Sequence, residues 1–208
     1  MYKKMALLLV VLLGCASAAQ AAPDRVGKWD VGVNVSGNFQ TDSDINDGVG
    51  VEGSFSYGIN SWLAVGFSGG WSGHSIDDAT SAGITVHGAD MNLFPLFGDI
   101  IFRVPTDRAV VPYGVVGLGT VITNVDDTDT SVTGLTVQTD VDTAFAVKLG
   151  GGVDWFINEN WIFNVQGNYV FYRPDVTETA SISGVSISAT DNLKFDYWNV
   201  GAGLKFVF

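Results

Sequence analysis

From Lys28 onward, apolar residues alternate with small or polar ones at a period of two, the signature of strands with two unlike faces. "KWDVGVNVSGNF" sets Trp29, Val31, Val33, Val35 and Phe39 against Asp30, Gly32, Asn34, Ser36 and Asn38. "VGVEGSFSY" sets Val49, Val51, Phe55 and Tyr57 against Gly50, Glu52, Ser54 and Ser56, and "WLAVGFSGGW" sets Leu63, Val65, Phe67 and Trp71 against Ala64, Gly66, Ser68 and Gly70. Between Thr85 and Arg103 the pattern is less regular. Pro95 predicts a bulge with a register shift there, beyond which Phe94, Leu96, Ile100 and Phe102 share a face opposite Phe97 and Asp99. A fifth strand opens around "VVPYGVVGLG", with Tyr113, Val115 and Val121 on one side. A sixth sets Val141, Phe145, Val147, Leu149, Val153 and Trp155 against Asp142, Ala144, Ala146, Lys148 and Asp154. In the seventh, Trp161, Phe163, Val165, Tyr169 and Phe171 oppose Asn164, Gln166 and Asn168. The last sets Trp198, Val200, Leu204, Phe206 and Phe208 against Asn199, Gly201, Gly203 and Lys205. Eight strands result, each long enough for the roughly 9–11 residues that a tilted membrane strand needs.

The connections alternate in kind. "GINS", "INEN" and Thr106 to Ala109 are tight, whereas Gly73 to Gly83, Asn124 to Thr139 and Arg173 to Asp191 are long. The first two tight turns are bracketed by aromatics, Tyr57 with Trp62 and Trp155 with Trp161. Short turns at one end and long loops at the other is the pattern of an outer-membrane barrel. "SAGITV", "VTGLTV" and "ISGVSI" form a weak repeat within the long loops and predict extended hairpins standing above the membrane.

The first residues agree with export. Lys3 and Lys4, the apolar run Met5 to Leu13 and Ala19-Gln20-Ala21 read as a secretory signal peptide over 1–22, leaving 23–208 as the barrel domain. Leu12 to Cys15 also fits a lipoprotein box that would lipidate Cys15, but Leu13 suits it poorly and the cleavage site downstream is clean. Cys15 is the one cysteine, so no disulfide forms within the chain. Loss of the signal peptide takes the net charge from −12 to −14, a balance that argues against a nucleic-acid partner. A hydrophobic share of 47% excludes a disordered chain, and a charged share of 15% is low for a soluble domain. No later apolar run is long enough for a membrane helix, so any crossing is by strands.

The same alternation also fits a soluble barrel with its apolar face inside. The polar face decides between them. A solvated surface carries about 25–35% charged residues, yet here that face is Gly, Ser, Ala and Asn with isolated charges, which suits a narrow lumen. The apolar face is bulky and bordered by aromatics. The expected fold is therefore all-β: an eight-stranded antiparallel up-and-down transmembrane β-barrel, apolar side out.

At this point the chain resembles the small bacterial outer-membrane barrels of the OmpW/OmpA-like class. The resemblance rests on "VVPYGVVGLG", "MNLFPLFGDIIFRV" and the ending "DYWNVGAGLKFVF". It implies location in the outer membrane of a Gram-negative bacterium. It also implies that Gly203, Phe206 and Phe208 form a C-terminal insertion signal read by the barrel assembly machinery. OmpW-type proteins are linked with small hydrophobic solutes moving through an apolar lumen. Here the lumen reads polar, so leakage of ions or small polar solutes is the more consistent transport function.

Candidate chemistry is sparse. "GHSIDD" places His74, Ser75 and Asp77 in sequence, the residue types of a lipid-modifying enzyme's site, but neighbours on a strand point to opposite faces. His74 and His87 read as loop histidines, and no catalytic residue is assigned. Asp77, Asp78, Asp126, Asp127, Asp129, Asp140 and Asp142 make the loops acidic without the spacing of a calcium site. No metal or other cofactor is expected. Inside, Glu52 and Lys148 fall at mid-strand on opposite walls and are expected to pair. Asp99, Asp154 and Lys205 sit lower as part of the same charge network, since a buried charge without a partner is costly. The favoured function is a non-enzymatic structural or surface-interaction barrel. Its partners are outer-membrane lipid and lipopolysaccharide, with a host or phage ligand also in view. A narrow channel is the alternative, and lipid modification ranks last.

Overall fold

The computed structural model describes residues 24–41, 46–75, 79–81, 84–86, 90–125, 135–182, 185–192 and 195–208. The expected signal peptide, Cys15, His87 and Asp77, Asp78, Asp126, Asp127 and Asp129 lie outside them. Eight strands close into one antiparallel barrel: β1 (Trp29–Gln40), β2 (Gly48–Gly58), β3 (Leu63–Ser75), β6 (Asp90–Arg103), β7 (Val110–Val125), β9 (Ala144–Phe156), β10 (Trp161–Tyr172) and β13 (Tyr197–Val207). Each pairs with its neighbours in chain order, and β13 pairs with β1 to close the circle. The C-terminal tail makes this closure, because Phe208 N donates to Trp29 O (3.0 Å) and Trp29 N donates to Phe208 O (3.1 Å).

Two of the three tight turns owe their shape to asparagine, and in the third Thr106 Oγ1 accepts from the backbone N–H of Arg108 (3.2 Å). Asn60 Oδ1 accepts from the backbone N–H of Trp62 (2.9 Å) and Leu63 (2.8 Å), and Asn158 Oδ1 accepts from those of Asn160 (3.0 Å) and Trp161 (2.8 Å). Such side chains stand in for a backbone turn partner.

Burial follows the alternation. Val33 and Val35 are 55% and 63% exposed, whereas Asn34 between them is 1% exposed. The apolar face is outward and the polar face fills the barrel. Aromatics ring the short-turn end: Trp29 stacks on Phe55 (4.7 Å between centroids), Trp62 on Phe102 (6.3 Å), and Trp161 meets Phe206 edge-on (5.1 Å). Tyr169, Phe171 and Trp198 form a second cluster toward the long-loop end.

Partners followed once round the barrel run from Leu63 through Phe102, Gly114, Gly151, Gly167, Val200, Gly37 and Val49 to Gly73, a return ten residues further along β3. Eight strands with this stagger leave an interior just wide enough for side chains.

Three expectations need correction. Pro95 causes no register shift, since β6 keeps one register with β7 throughout and the same register with β3 on both sides of Pro95. Only the rungs opposite Gly70 and Trp71 are missing, as expected where a proline supplies no N–H. The sixth barrel strand starts at Ala144, because Leu135–Val141 form a separate strand, β8. The long loops are also not three independent hairpins. Strands β4 (Ala79–Ser81) and β5 (Ile84–Val86) pair with each other, and β11 (Asp175–Ile182) pairs with β12 (Val185–Asn192). Strand β8, from a different loop, adds to β11 as the third strand of that sheet.

Val35→Arg places a charge near the middle of the outward face and should destabilise the barrel in lipid vesicles by about 2–4 kcal/mol. Denaturant titration measures this, and an unchanged midpoint would mean that this face does not meet lipid.

Candidate functional site

The inward positions bring most of the molecule's buried charge together. Near the short-turn end Asp154 (1% exposed) accepts from Lys205 Nζ (2.9 Å), Arg25 Nη1 (2.6 Å) and Asn164 Nδ2 (2.8 Å). Arg25 reaches this point because the segment before β1 folds across the mouth. Gly27 there takes φ +71°, a conformation that suits glycine, and its N–H donates to Gly58 O (2.8 Å). Burial, the largest influence on Arg25, lowers its pKa, but Asp154 and then Asp30 outweigh it and the guanidinium is held above its ordinary value. Arg25 Nη2 also donates to Asp30 Oδ2 (2.5 Å), and Arg103 Nη2 donates to that same oxygen (2.9 Å).

A second group lies deeper. Lys148 Nζ is 3.0 Å from both Asp99 oxygens, 2.7 Å from Ser68 Oγ and 3.9 Å from Glu52 Oε2. Ser68 Oγ donates to Asp99 Oδ2 (2.6 Å). Gly117 sits between Lys148 and Asp99 in register, and a Cβ there would meet Asp99 Oδ1 at 2.5 Å and Lys148 Cε at 3.0 Å. A side chain at this position would push the Asp99 carboxylate and the Lys148 stem from their present places. Neutral side chains join the two groups. Gln166 Nε2 donates to Glu52 Oε1 (2.9 Å), Tyr113 OH donates to Gln166 Oε1 (3.3 Å), and Asn164 Nδ2 donates to Tyr113 OH (2.9 Å).

Four cations (Arg25, Arg103, Lys148, Lys205) and four carboxylates (Asp30, Glu52, Asp99, Asp154) thus form one balanced network. Glu52 and Lys148 do approach across the barrel, but the closer partner of Lys148 is Asp99. Asp99 stands level with Lys148 rather than lower, since Gly117 pairs with both. Asp154 and Lys205 pair with each other. The sequence reading missed Arg25, Asp30 and Arg103. Asp30 was legible as an inward position of β1, and Arg103 shares the parity of Asp99, whereas Arg25 precedes any strand and carried no periodic signal.

The lumen is not polar throughout. Beyond the network toward the long loops lies an apolar cluster that includes Met91, Leu93, Phe97, Val121, Tyr172 and Tyr197. At the short-turn end Ala109, Val111, Phe156, Ile162 and Val207 form another. Between these layers two cavities of about 20 and about 40 Å³ remain, room for one and for a few water molecules. Glu52 and Lys148 line both. His74 is not a loop residue: it is buried on the inner face of β3, 3.1 Å from Asn46 O and 3.2 Å from Ser72 Oγ, while Ser75 is exposed. Gly203 faces inward opposite Asn34, and Phe206 and Phe208 face outward.

The outer membrane protein beta-barrel domain family matches residues 6–206, and the chain belongs to this family. It lies in the outer membrane of a Gram-negative bacterium, so the tight turns face the periplasm and the long loops the exterior. Its fold is similar to that of OprG from Pseudomonas aeruginosa (16% identity, 89% of this chain and 97% of that one, TM-score 0.73). It is also similar to Neisserial surface protein A (17%, 88% and 99%, 0.57) and to AlkL (18%, 91% and 94%, 0.54). Comparison with curated proteins gives no match.

Lys148→Ala leaves Asp99 buried without its cation and should cost about 3–5 kcal/mol in denaturant unfolding. Adding Asp99→Asn to that variant should recover much of the loss. A double variant no more stable than the single one would show that the pair is not coupled.

Proposed function

We propose, starting from membership in that family, that this chain is a non-enzymatic barrel with a closed lumen, whose role is carried by the strands and loops it holds outside the membrane. The observation behind this reading is the filled interior. Among the described residues, an ion-pair network and two apolar layers occupy the interior, and the cavities beside Glu52 and Lys148 hold about 20 and about 40 Å³. Solute passage would require buried ion pairs to separate, and breaking such pairs is costly.

The external strands support a surface role. Because β8 pairs with β11, two long loops form one sheet and present a partner with positions at fixed spacing. The acidic residues of these segments suit a surface bridged by divalent cations, as anionic lipopolysaccharide is. Lipopolysaccharide is the first partner to test, ahead of a host or phage ligand. Gly203, Phe206 and Phe208 would serve assembly, with the two phenylalanines offered on the outer wall where an insertion factor can reach them.

A gated channel is the second reading, and one observation favours it. Glu52 and Lys148 wall both internal cavities and meet at 3.9 Å, the loosest ion pair of the network. Exchange of Lys148 between Asp99 and Glu52 would rework the partition between the cavities.

Single-channel recording of the refolded protein in planar bilayers distinguishes the two. The closed-lumen reading expects silence from the wild type, whereas discrete steps altered by Lys148→Ala would establish the gate and displace it. Removal of residues 175–192 should weaken lipopolysaccharide binding to refolded barrels while heat-modifiable migration persists. Undiminished binding would remove the external sheet from this role. Deletion of Phe208 should slow assembly by the insertion machinery, measured as the heat-modifiable fraction over time.

A further inference from the structure

We infer that the outer wall of β1, β2 and β3 carries, at its exterior end, a seat for one acyl chain of lipopolysaccharide. The inference rests on the outward face meeting lipid, and it adds a contact within the membrane to the surface role above.

Among the described residues, a groove of about 670 Å³ lies on this wall, within the roughly 300–1,000 Å³ of sites that hold small ligands. Gly37, Val49 and Gly73 form its floor, Phe39 and Trp71 flank it, and Asn92 closes one edge. All six are outward positions of their strands. Asp47 and Ser75, also outward, line the exterior end, and the inward positions 48 and 74 complete the lining.

The register explains this shape. Gly37 pairs with Val49 and Val49 pairs with Gly73, so the two glycines flank Val49 on one level and leave it 64% exposed. Each ring leans over its own glycine: a Cβ at Gly37 would meet Phe39 Cζ at 3.2 Å, and one at Gly73 would meet Trp71 Cζ2 at 3.0 Å. Trp71 is held further, because its Nε1 donates to Asn92 Oδ1 (2.9 Å). That wall is set before a ligand arrives, which lowers the cost of ordering on binding.

Depth selects the occupant. Strand β3 runs 13 residues from its periplasmic turn, against the roughly 9–11 that a crossing needs, and Gly73 lies near its far end. Phe39 pairs with Trp198 of the outer aromatic cluster, so the groove stands at the exterior boundary of the hydrocarbon. One level deeper Val35 pairs with Val51, and both are exposed, so the floor continues into the membrane as the lipid-facing wall. In a Gram-negative outer membrane the lipid at the exterior boundary is lipopolysaccharide. Asp47 stands where a divalent cation can bridge a carboxylate to a lipid phosphate. A chain entering from lipid exchanges one apolar medium for another, so any preference comes from packing on the rings and from the polar edge.

The test is quenching of tryptophan fluorescence by brominated phosphatidylcholine in vesicles of the refolded barrel, with magnesium present. The difference between wild type and Trp71→Phe isolates the signal of Trp71. Added lipopolysaccharide should relieve quenching of Trp71 about three- to tenfold more than its mole fraction accounts for, while the other tryptophans follow the mole fraction. Val49→Phe, an apolar exchange on the outer wall, fills the groove and should abolish this preference. Quenching of Trp71 that tracks mole fraction, or a preference unchanged in Val49→Phe, overturns the site. Unbrominated phosphatidylethanolamine as effective as lipopolysaccharide overturns the assignment to that lipid. Removal of residues 175–192 should leave the preference in place, which separates this seat from the external sheet; loss of the preference there rejects the groove. If Val49→Phe gives no heat-modifiable barrel, Phe39→Leu, which lowers one wall, decides, and a preference as strong as that of the wild type rejects the proposal.

Discussion

A backbone N–H or C=O left unpaired in hydrocarbon costs several kcal/mol, and the pairing of β1 with β13 removes the two edges that an open sheet would present. The other features follow from that closure. Eight strands with a stagger of ten residues enclose a space that side chains must fill, so inward positions carry Gly, Ser and Asn where backbones crowd and longer polar side chains where they do not. Outward positions face lipid and can be uniformly apolar. The terminal Phe208 belongs to this constraint, because its backbone completes the last rungs of the closing pair.

The filled interior has an electrostatic consequence. Charges in a space this dry must be balanced, and four cations against four carboxylates achieve it. Balance over the whole network does not give balance at each level. The periplasmic group has a surplus of cations and the deeper group a surplus of acids, with Asn164, Tyr113 and Gln166 between them. The separation polarises the interior along the barrel axis.

Outside the membrane, water satisfies exposed backbone groups and the closure requirement disappears. The chain uses that freedom to build an open sheet from two different loops, joining β8 to the β11–β12 hairpin. The barrel sets where these loops begin and end, and their mutual pairing ties them together. A closed barrel below and paired strands above is the arrangement on which the proposed surface role rests.

The period of two determined the eight strands and their two faces, a local consequence of side chains alternating across a pleated backbone, and the small, sparsely charged residues of the polar face set the apolar side outward. It also placed Glu52, Asp99, Lys148, Asp154 and Lys205 inside. The tertiary structure decided who meets whom. Lys148 pairs with Asp99 across Gly117 because the stagger of β6, β7 and β9 sets them level, and no local pattern encodes stagger. Arg25 enters the network because its segment turns back across the mouth at Gly27, which carries no periodic signal. Tyr113, Val115 and Val121 could be assigned to one side of their strand, but the apolar layers they help to build required inward residues from several strands at one height. The addition of β8 to β11 likewise joins residues distant in the chain, and only the folded molecule brings them together.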